Sequence, residues 1–332
     1  MNDMLGLAYD TTFDDTSVAV LRGTREILAN ATLSQYADHE EFGGVVPERA
    51  SRKHLEVIHP LTAKALATAG VGFGDLDYVA VSNKPGLLGA ILVGVTVAKT
   101  TAYLLGKPLI GINHIEAHPY ANVLTHGPLP FPIVHLVAAG GHTLLIRQDD
   151  HFQWQVIGRS IDDAAGECVD KVAKLFGHAM PGGPAVDATA LAHPPGDYDF
   201  PRPLLREPNL NFSFSGLKTA LRYFRRDHPA APEGPVLSAF MEAVVDVLVR
   251  KTLRAAEQCG VGQISVSGGL AASRRLRGAF EAACAEAGIA LYYPPPALCT
   301  DNAAMVACLA AHRYAAGSFD DLTLEGYANL VE

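Results

Sequence analysis

The chain lacks the short motifs that assign proteins to the commonest nucleotide-binding classes. It has no G-x-x-x-x-G-K-[ST] string and no G-x-G-x-x-G string, which argues against P-loop and dinucleotide-fold chemistry. Its cysteines contain no C-x-x-C pair and are odd in number. This pattern is typical of reduced thiols and argues against a disulfide framework or a Cys-type zinc site. The five are Cys168, Cys259, Cys284, Cys299 and Cys308.

Basic residues and long apolar runs are also scarce. The chain has 26 Lys and Arg against 35 Asp and Glu, a net charge of −9, so composition alone argues against a stand-alone nucleic-acid binder. The longest apolar run, 87–98, ends at Lys99 and is shorter than the ~18 residues that indicate a membrane span. No basic segment precedes an apolar stretch at the N-terminus. We therefore expect a soluble, cytoplasmic protein that does not bind a membrane.

What is present favours a large folded protein. Hydrophobic residues make up 49% and charged residues 18% of 332, which is enough apolar surface for a substantial core. With ~150 residues per domain as a prior, two domains are expected. Strand and helix patterns alternate, which predicts an α/β fold. Apolar runs at 4–8 and 17–21 flank one polar turn, and runs at 132–138 and 143–146 flank a second turn, so the pattern suggests a duplicated domain.

Further elements follow from periodicity and from Gly and Pro positions. We predict helices over 47–69, 86–105, 163–176, 237–258, 271–287 and 301–316. We predict strands over 78–81, 108–112, 263–267 and 290–293. A long surface loop is predicted over 193–211.

His114 and His118 form an i, i+4 pair. On a helix both imidazoles share one face and can reach one metal ion, although a surface or core histidine pair has the same spacing. Glu116 lies ~200° around the helix from His114, so it points away from such a metal. This geometry weakens a metalloprotease interpretation, which needs the carboxylate beside the first histidine.

Asp301 precedes the predicted last helix and has two interpretations. Asp301 or Thr300 is a suitable helix N-cap. Alternatively, Asp301 completes a site of two histidines and one carboxylate with open positions, a set that suits iron or zinc. Turns at 140–141, 182–183 and 268–269 contain paired glycines, where backbone N–H groups can approach phosphate or ribose closely.

The motifs together resemble one family. The segments that carry the resemblance are 42–54 (FGGVVPERASRKH), 114–118 (HIEAH), 140–143 (GGHT), 160–167 (SIDDAAGE), 181–184 (PGGP), 211–219 (NFSFSGLKT) and 299–305 (CTDNAAM). In this order they closely resemble the TsaD family of bacterial tRNA threonylcarbamoyladenosine transferases, formerly described as O-sialoglycoprotein endopeptidases. The resemblance extends from about Leu5 to Gly317.

The resemblance implies a duplicated actin/Hsp70/sugar-kinase-like (ASKHA) fold, with two α/β domains around a cleft. We expect residues 1–121 plus 299–332 in one domain and 122–298 in the other. The implied reaction transfers a threonylcarbamoyl group from threonylcarbamoyl-AMP to N6 of adenosine 37, in tRNAs that read codons beginning with A, and releases AMP. The implied partners are a TsaB-like paralogue and a TsaE-like ATPase, which handle the tRNA together with this acidic chain.

The resemblance also implies site residues. His114, His118 and Asp301 would hold one divalent metal per subunit, Fe²⁺ first, with Zn²⁺ or Mg²⁺ as alternatives. Asp14, in the first hairpin turn, is a candidate to accept the N6 proton, although it also fits a turn cap. The residues implied to bind the adenylate are Val137, Ala138, Ala139, Gly140, Gly141, Asp170, Gly183, Asp187 and Ser273.

The chain departs from the family pattern at several of these positions. Lys84 replaces the first glycine of a Gly-Pro-Gly turn, Ala139 replaces a serine, and Ser273 replaces an asparagine. The last two changes remove hydrogen-bonding groups worth about 0.5–1.5 kcal/mol each. Two alternatives therefore stay open, a nucleotide-binding scaffold of the same fold without activity and an ASKHA-type small-molecule kinase.

Overall fold

The computed structural model describes residues 3–39, 42 and 44–329. The chain forms two compact units, one comprising Met1–Pro128 and Asp301–Glu332 and the other Leu129–Thr300. Each unit has its own five-stranded sheet and its own buried apolar core.

The first unit contains a mixed sheet in the order β3-β2-β1-β4-β5. The strands β1, β2 and β3 are consecutive and antiparallel, whereas β4 and β5 run parallel to β1. Its strands are β1 Leu5–Asp10, β2 Asp15–Arg22, β3 Glu26–Ser34, β4 Tyr78–Lys84 and β5 Leu109–Asn113. Its helices are α1 Tyr36–His39, α2 Pro47–Ala69, α3 Leu88–Leu105, α4 His114–Ala117, α5 Tyr120–His126 and, from the end of the chain, α11 Ala303–Ala315.

The second unit contains a sheet in the order β10-β9-β6-β7-β8. The strands β6, β7 and β8 are consecutive antiparallel neighbours, whereas β9 and β10 run parallel to β6. Its strands are β6 Ile133–Ala139, β7 His142–Gln148, β8 Trp154–Arg159, β9 Gln263–Ser267 and β10 Ala290–Tyr292. Its helices are α6 Ala165–Leu175, α7 Gly183–Ala192, α8 Ser215–Asp227, α9 Glu233–Cys259 and α10 Arg274–Ala287.

The two sheets have the same strand order and the same strand directions. In this comparison β6, β7, β8, β9 and β10 correspond to β1, β2, β3, β4 and β5. This identity of topology confirms the duplicated α/β architecture that the two hairpins predicted. It also means that the carboxyl ends of the three parallel strands meet at one edge of each sheet, where ligands of open α/β sheets bind.

Most predicted elements are confirmed within one or two residues, and their ends have local causes. The helix α2 begins with Pro47 at its first position, where the missing N–H is harmless. It ends at Gly70, whose φ of 67° is left-handed and closes the helix through the Gly70 N–H. The loop predicted over 193–211 is confirmed, since it joins α7 to α8 without a helix or strand.

Among the elements that were not predicted are the strands β3 and β8 and the helix α8. The strands β3 and β8 are the outer antiparallel strands, and most of their side chains are exposed or half-buried, so they lack a clear apolar run. The helix α8 does have helical periodicity, since Leu217, Leu221 and Phe224 share one side and pack in the core of the second unit. Its signal was present in the sequence and was overlooked.

The helix α3 is, within the described part of the chain, the one helix that is long and apolar enough by composition to cross a membrane. One third of that segment is buried in the protein. Its inner face, which includes Ile91, Val95 and Ala98, belongs to the core of the first unit. The helix therefore packs on the sheet as a core helix does.

Low pH should reduce the folding stability of the second unit through protonation of His135. This side chain is buried on β6, where Nδ1 lies 2.6 Å from Ser265 Oγ and Nε2 lies 2.8 Å from Gln148 Oε1. Burial lowers the pKa of His135 to about 4. The unfolded chain takes up this proton at about pH 6.5, so stability is intact above that pH and falls as the pH drops towards 4, by about 3 kcal/mol in total.

Urea unfolding between pH 7 and pH 4 measures this effect. The variant His135→Gln should lose about 3 kcal/mol less than the wild-type chain over the same interval. Equal losses in the two proteins would show that another group controls the acid response.

Candidate functional site

Three candidate metal ligands meet in the first unit. Asp301 Oδ1 lies 3.4 Å from His114 Nε2 and 3.5 Å from His118 Nε2. One ligand atom of each residue lies within 4.8 Å of the others. Both histidines are buried, and the Asp301 side chain is 24% exposed. The geometry thus brings together the three residues that the sequence proposed as one metal site, with one side open to solvent.

The two histidines are positioned by the start of α4. The strand β5 ends at Asn113, whose side chain accepts the Ile115 N–H at 2.9 Å and so caps the helix. His114 is the first residue of α4, and His118 follows its last residue with helical backbone angles. The i, i+4 spacing therefore places both rings on one side, with centroids 4.8 Å apart.

The cap of α11 corrects one alternative from the sequence. Asn302 Oδ1 accepts the Met305 N–H at 3.0 Å, so Asn302 is the N-cap. Neither Asp301 nor Thr300 has the N-cap role suggested for them. The sequence favoured these two because Asp and Thr are good caps, but the adjacent Asn is equally good and lies one residue nearer the helix.

His114 has a second carboxylate on its other nitrogen. Asp10 Oδ2 lies 2.9 Å from His114 Nδ1, and Thr12 Oγ1 lies 3.2 Å from the same atom. The Thr12 hydroxyl in turn donates to Asp10 Oδ1 at 3.0 Å. Because a carboxylate accepts only, Nδ1 of the neutral imidazole must carry the proton. In the neutral form that binds a metal, the Nε2 lone pair is then left free on the side of Asp301, as a metal ligand requires.

The electrostatics of the cluster favour a cation. Burial opposes protonation of His114, but Asp10 and Asp301 outweigh it and hold the pKa of His114 well above its usual range. Two imidazoles and one carboxylate are a donor set that suits zinc or iron and leaves coordination positions open. The residues present therefore fit a divalent metal.

The first hairpin turn brings further carboxylates near Asp301. Burial, with a contribution from Asp301, raises the pKa of Asp14. Burial also raises the pKa of Asp15 to about 7, and Asp15 Oδ1 is buried without a hydrogen-bond partner among the described residues. Sequence reasoning selected Asp14 and missed Asp15 and Asp10. The repeated carboxylates of the turn, at 10, 14 and 15, were the available signal.

Glu116 is placed as the helix geometry predicted. Its Oε2 lies 3.5 Å from Arg313 Nη2, and Arg313 also donates to the Gly111 carbonyl. Glu116 is therefore engaged with α11 as an ion-pair partner. This contact agrees with the argument against a metalloprotease, in which a glutamate must face the metal-bound water.

The residues proposed for adenylate binding all lie in the second unit. Val137, Ala138 and Ala139 end the strand β6, and Gly140 and Gly141 form the turn to β7. Gly140 has a φ of 48°, which is left-handed and favours glycine. A Cβ on Gly141 would lie 2.9 Å from Glu167 Oε1. Glu167 is therefore a neighbour of this turn that sequence reasoning did not select.

The two proposed aspartates organise the surrounding backbone. Asp170 Oδ1 accepts the N–H groups of Gly182 and Gly183 at 2.9 and 3.1 Å, and burial raises its pKa. Asp187 Oδ1 accepts the Ser273 hydroxyl at 2.5 Å, and its Oδ2 accepts the Arg274 N–H at 3.0 Å.

Ser273 has a structural role at its position. Its hydroxyl oxygen accepts the Leu276 N–H at 3.1 Å and caps α10. The serine that replaces the family's asparagine thus keeps a good cap and fixes the Asp187 carboxylate. Any ribose contact by Asp187 would share a carboxylate that already has three protein donors, the Ser273 hydroxyl and the N–H groups of Arg274 and Arg275.

Gly268 lies beside the end of β6, and replacing it tests whether this part of the second unit tolerates a side chain there. Gly268 has a φ of 90°, and a Cβ there would lie 2.4 Å from the Ala138 carbonyl oxygen. Gly268→Ala should therefore displace the end of β6, destabilise the unit by about 1–3 kcal/mol and weaken adenylate binding. Gly269→Ala is the matched control, because a Cβ on Gly269 meets no atom within 4 Å. Thermal unfolding and calorimetric nucleotide titration measure both effects, and equal behaviour of the two variants would contradict them.

Two stretches of the second unit, 222–226 and 274–277, are rich in arginine. Arg225 donates to the Pro229 carbonyl, Arg275 to the Ala190 carbonyl, and Arg277 to the Ala271 and Pro294 carbonyls. Half of the six arginines in these stretches therefore bind the protein's own backbone.

Solved structures with the same fold have low sequence identity. A structure of HypF in a phosphate- and nucleotide-bound form is 15% identical, with a TM-score of 0.63 over 96% of this chain and 47% of that one. Component A of the (R)-2-hydroxyglutaryl-CoA dehydratase of Acidaminococcus fermentans is 13% identical, with a TM-score of 0.56 over 94% and 98%. These similarities support the ASKHA-type fold alone.

Curated relatives match almost the whole chain. The proteins named tRNA N6-adenosine threonylcarbamoyltransferase from Syntrophotalea carbinolica and Staphylococcus carnosus are each 44% identical, over 98% and 99% of this chain and 96% of each relative. The protein of that name from Pelobacter propionicus is 46% identical over 97% of this chain and 96% of its own length. A family model described as TsaD, tRNA N6-adenosine threonylcarbamoyltransferase, matches residues 26–308. The chain, with its His114, His118 and Asp301 cluster, belongs to the TsaD family of tRNA N6-adenosine threonylcarbamoyltransferases.

Proposed function

We propose that this protein transfers a threonylcarbamoyl group from threonylcarbamoyl-AMP to N6 of adenosine 37 in tRNA. The observation that carries the proposal is the coincidence of the buried His114, His118 and Asp301 cluster with near full-length identity to the curated transferases. Adenosine N6 attacks the carbamoyl carbonyl carbon, the bond from that carbon to the phosphate oxygen breaks, and AMP leaves with the electron pair.

His114, His118 and Asp301 are proposed to hold one divalent metal ion, with Fe²⁺ as the first candidate and Zn²⁺ and Mg²⁺ as alternatives. When bound, such an ion supplies Lewis-acid polarisation of a carbonyl or phosphoryl oxygen. The chemistry of the donor set supports this assignment, since two neutral imidazoles and a carboxylate suit iron or zinc better than magnesium.

A carboxylate in the first hairpin turn is proposed to accept the proton that N6 loses. Asp14 is the candidate from the sequence, and Asp15 is its neighbour on the same turn. Burial raises the pKa of both side chains, that of Asp15 to about 7. A base whose pKa lies near the working pH is suited to this role.

The adenylate is proposed to bind in the second unit. The turn from Val137 to Gly141 offers backbone N–H groups to the phosphate and can stabilise the oxyanion that develops at the carbonyl. Asp187, held by Ser273, is proposed to accept a ribose hydroxyl. Asp170 holds Gly182 and Gly183 at the start of α7, where a helix N-terminus favours an anion.

Partner proteins are proposed to assist tRNA binding, namely a TsaB-like paralogue and a TsaE-like ATPase. Exposed apolar side chains on the neighbouring helices α2 and α3 support a protein partner, because exposed apolar surface is typical of interaction sites. They are Leu55, Leu88, Leu92 and Tyr103, between 47% and 70% exposed. The purified chain should bind tRNA weakly, and the partners should strengthen binding. Tight, partner-independent binding at physiological salt would overturn this part.

A single-turnover assay with labelled threonine, bicarbonate, ATP, tRNA and the partner proteins tests the proposed function. Label should enter the tRNA only when this chain is present. Nucleotide binding without label transfer would instead identify an inactive scaffold, and phosphorylation of a small molecule would identify a kinase.

A further inference from the structure

A cavity in the second unit lies outside both sites described above. It measures about 990 Å³ and is bounded by the loop that follows α7 and by the C-terminal half of α9. Its lining includes four arginines, Arg202 and Arg206 from the loop and Arg250 and Arg254 from the helix. Phe200, Leu204 and Leu205 form its apolar part.

The cations at this cavity outnumber the carboxylates available to them. Asp199 and Asp246 both pair with Arg202, at 2.5 and 3.1 Å. Within the part of the chain that the structure describes, Arg206 and Arg250 have no ion-pair or hydrogen-bond partner, and both are exposed. Glu207 is the one remaining acidic group of the lining.

Two further cations are satisfied only by carbonyl groups. Arg254 donates to the carbonyl oxygens of Glu207 and Leu205 at 2.5 and 2.9 Å. Lys251, which is fully buried, donates to the Asn209 carbonyl oxygen at 2.8 Å. A carbonyl accepts a hydrogen bond but does not neutralise a charge, so both positive charges persist beside the cavity. Burial and the nearby Arg254 accordingly lower the pKa of Lys251 to about 8.

The loop at this cavity is held in a strained conformation. Leu204 has a φ of 56°, which costs a non-glycine residue about 1–2 kcal/mol. The contacts from Lys251 and Arg254 fix the loop on either side of Arg206. Such strain persists only where the surrounding structure enforces it, and it is frequent at binding sites. The loop thus presents Arg206, in a defined arrangement, to the cavity that Arg250 also lines.

We infer that this cavity binds phosphate groups of the RNA backbone through Arg206 and Arg250, with the charges of Arg254 and Lys251 behind them. The inference rests on the proposed function for the identity of the RNA as tRNA. Guanidinium groups match phosphate oxygens in a bidentate geometry. In a chain of net charge −9, a local group of five cations against three carboxylates is a place where phosphate contacts gain energy.

Titration of unmodified tRNA into the full-length chain at ~50 mM and ~200 mM salt tests this inference. The double variant Arg206→Ala/Arg250→Ala should bind tRNA about tenfold more weakly at ~50 mM salt, and the slope of log K against log salt should fall by about one to two. The charge-matched control is Arg222→Ala/Arg226→Ala, which removes two exposed cations from α8. The control should retain the wild-type affinity and slope.

Two outcomes would overturn the inference. Equal tRNA affinity and slope in the two double variants would show that the cavity does not contact RNA. Saturable binding of inorganic pyrophosphate that Arg206→Ala/Arg250→Ala abolishes, without a change in tRNA binding, would assign the cavity to a small anion instead.

The transfer assay separates this inference from the proposed function. If the wild-type chain transfers label and the cavity variant has an unchanged KM for tRNA, the cavity assignment fails and the function stands. If the wild-type chain transfers no label, and tRNA affinity falls in the cavity variant but not in the control variant, the proposed function fails and RNA binding at the cavity stands.

Discussion

Replacing Asp301 by alanine is expected to lower the transfer rate by about a thousandfold, because loss of about 4 kcal/mol of transition-state stabilisation has that effect. Asp301 Oδ1 is the atom that lies near both His114 Nε2 and His118 Nε2. Without it, the site keeps two imidazoles and loses its only anionic donor in the candidate set. We therefore expect bound metal and activity to be lost together.

Metal content per chain, measured by elemental analysis, and single-turnover rates give the two readouts. The matched control is Asp38→Ala, which removes an exposed carboxylate of α1 that lies 3.9 Å from Lys53 Nζ. The control should retain metal and rate, and circular dichroism should show both variants folded. An Asp301→Ala protein with full metal content and full rate would show that Asp301 does not hold a metal ion that the transfer needs.

Asp10→Asn is expected to weaken metal binding by about 10- to 100-fold, the usual effect of losing the group that orients a metal-binding histidine. The Asp10 carboxylate accepts from His114 Nδ1 at 2.9 Å. An amide of the same size can present N–H₂ to this nitrogen and favour the opposite tautomer, which would place the proton on Nε2. The effect therefore arises from the orientation of His114 and leaves all three candidate ligands in place.

Calorimetric titration with Zn²⁺ and the visible spectrum with Co²⁺ measure this effect without an activity assay. Thr12→Val is the graded comparison, because it removes the hydroxyl that contacts His114 Nδ1 at 3.2 Å and Asp10 Oδ1 at 3.0 Å but keeps the Asp10 carboxylate. It should therefore have a smaller effect. Metal affinities of Asp10→Asn and the wild type that agree within a factor of two would show that Asp10 does not orient the ligand.

The histidine pair was predictable from the sequence, whereas its supporting carboxylate was not. The i, i+4 spacing of His114 and His118 is a local property, and α4 realises it. Asp10 reaches His114 because β1, β4 and β5 are parallel neighbours, so the ends of β1 and β5 meet at one sheet edge. The strand order that creates this contact depends on tertiary pairing. For the same reason the sequence offered no means to choose between Asp14 and Asp15.

The residues proposed to bind the adenylate were also predictable only in part from the sequence. Paired glycines and the family motif predicted where the turn lies, and Gly140 and Gly268 do have left-handed backbones. The contact of the Ser273 hydroxyl with Asp187 joins residues 86 positions apart, so no local pattern contains it. Likewise, the net charge argued against a nucleic-acid substrate, because it sums over the whole chain and hides a local group of cations such as the one at the cavity beside α9.

Nucleoside mass spectrometry of tRNA, after incubation with the metal-loaded chain, its partner proteins and synthetic threonylcarbamoyl-AMP, tests the transfer reaction directly. We expect N6-threonylcarbamoyladenosine in amounts equal to the AMP released, its loss after chelation of the metal and its return when the metal is added back. Release of AMP without the modified nucleoside, or product formation that chelation leaves unchanged, would contradict this expectation.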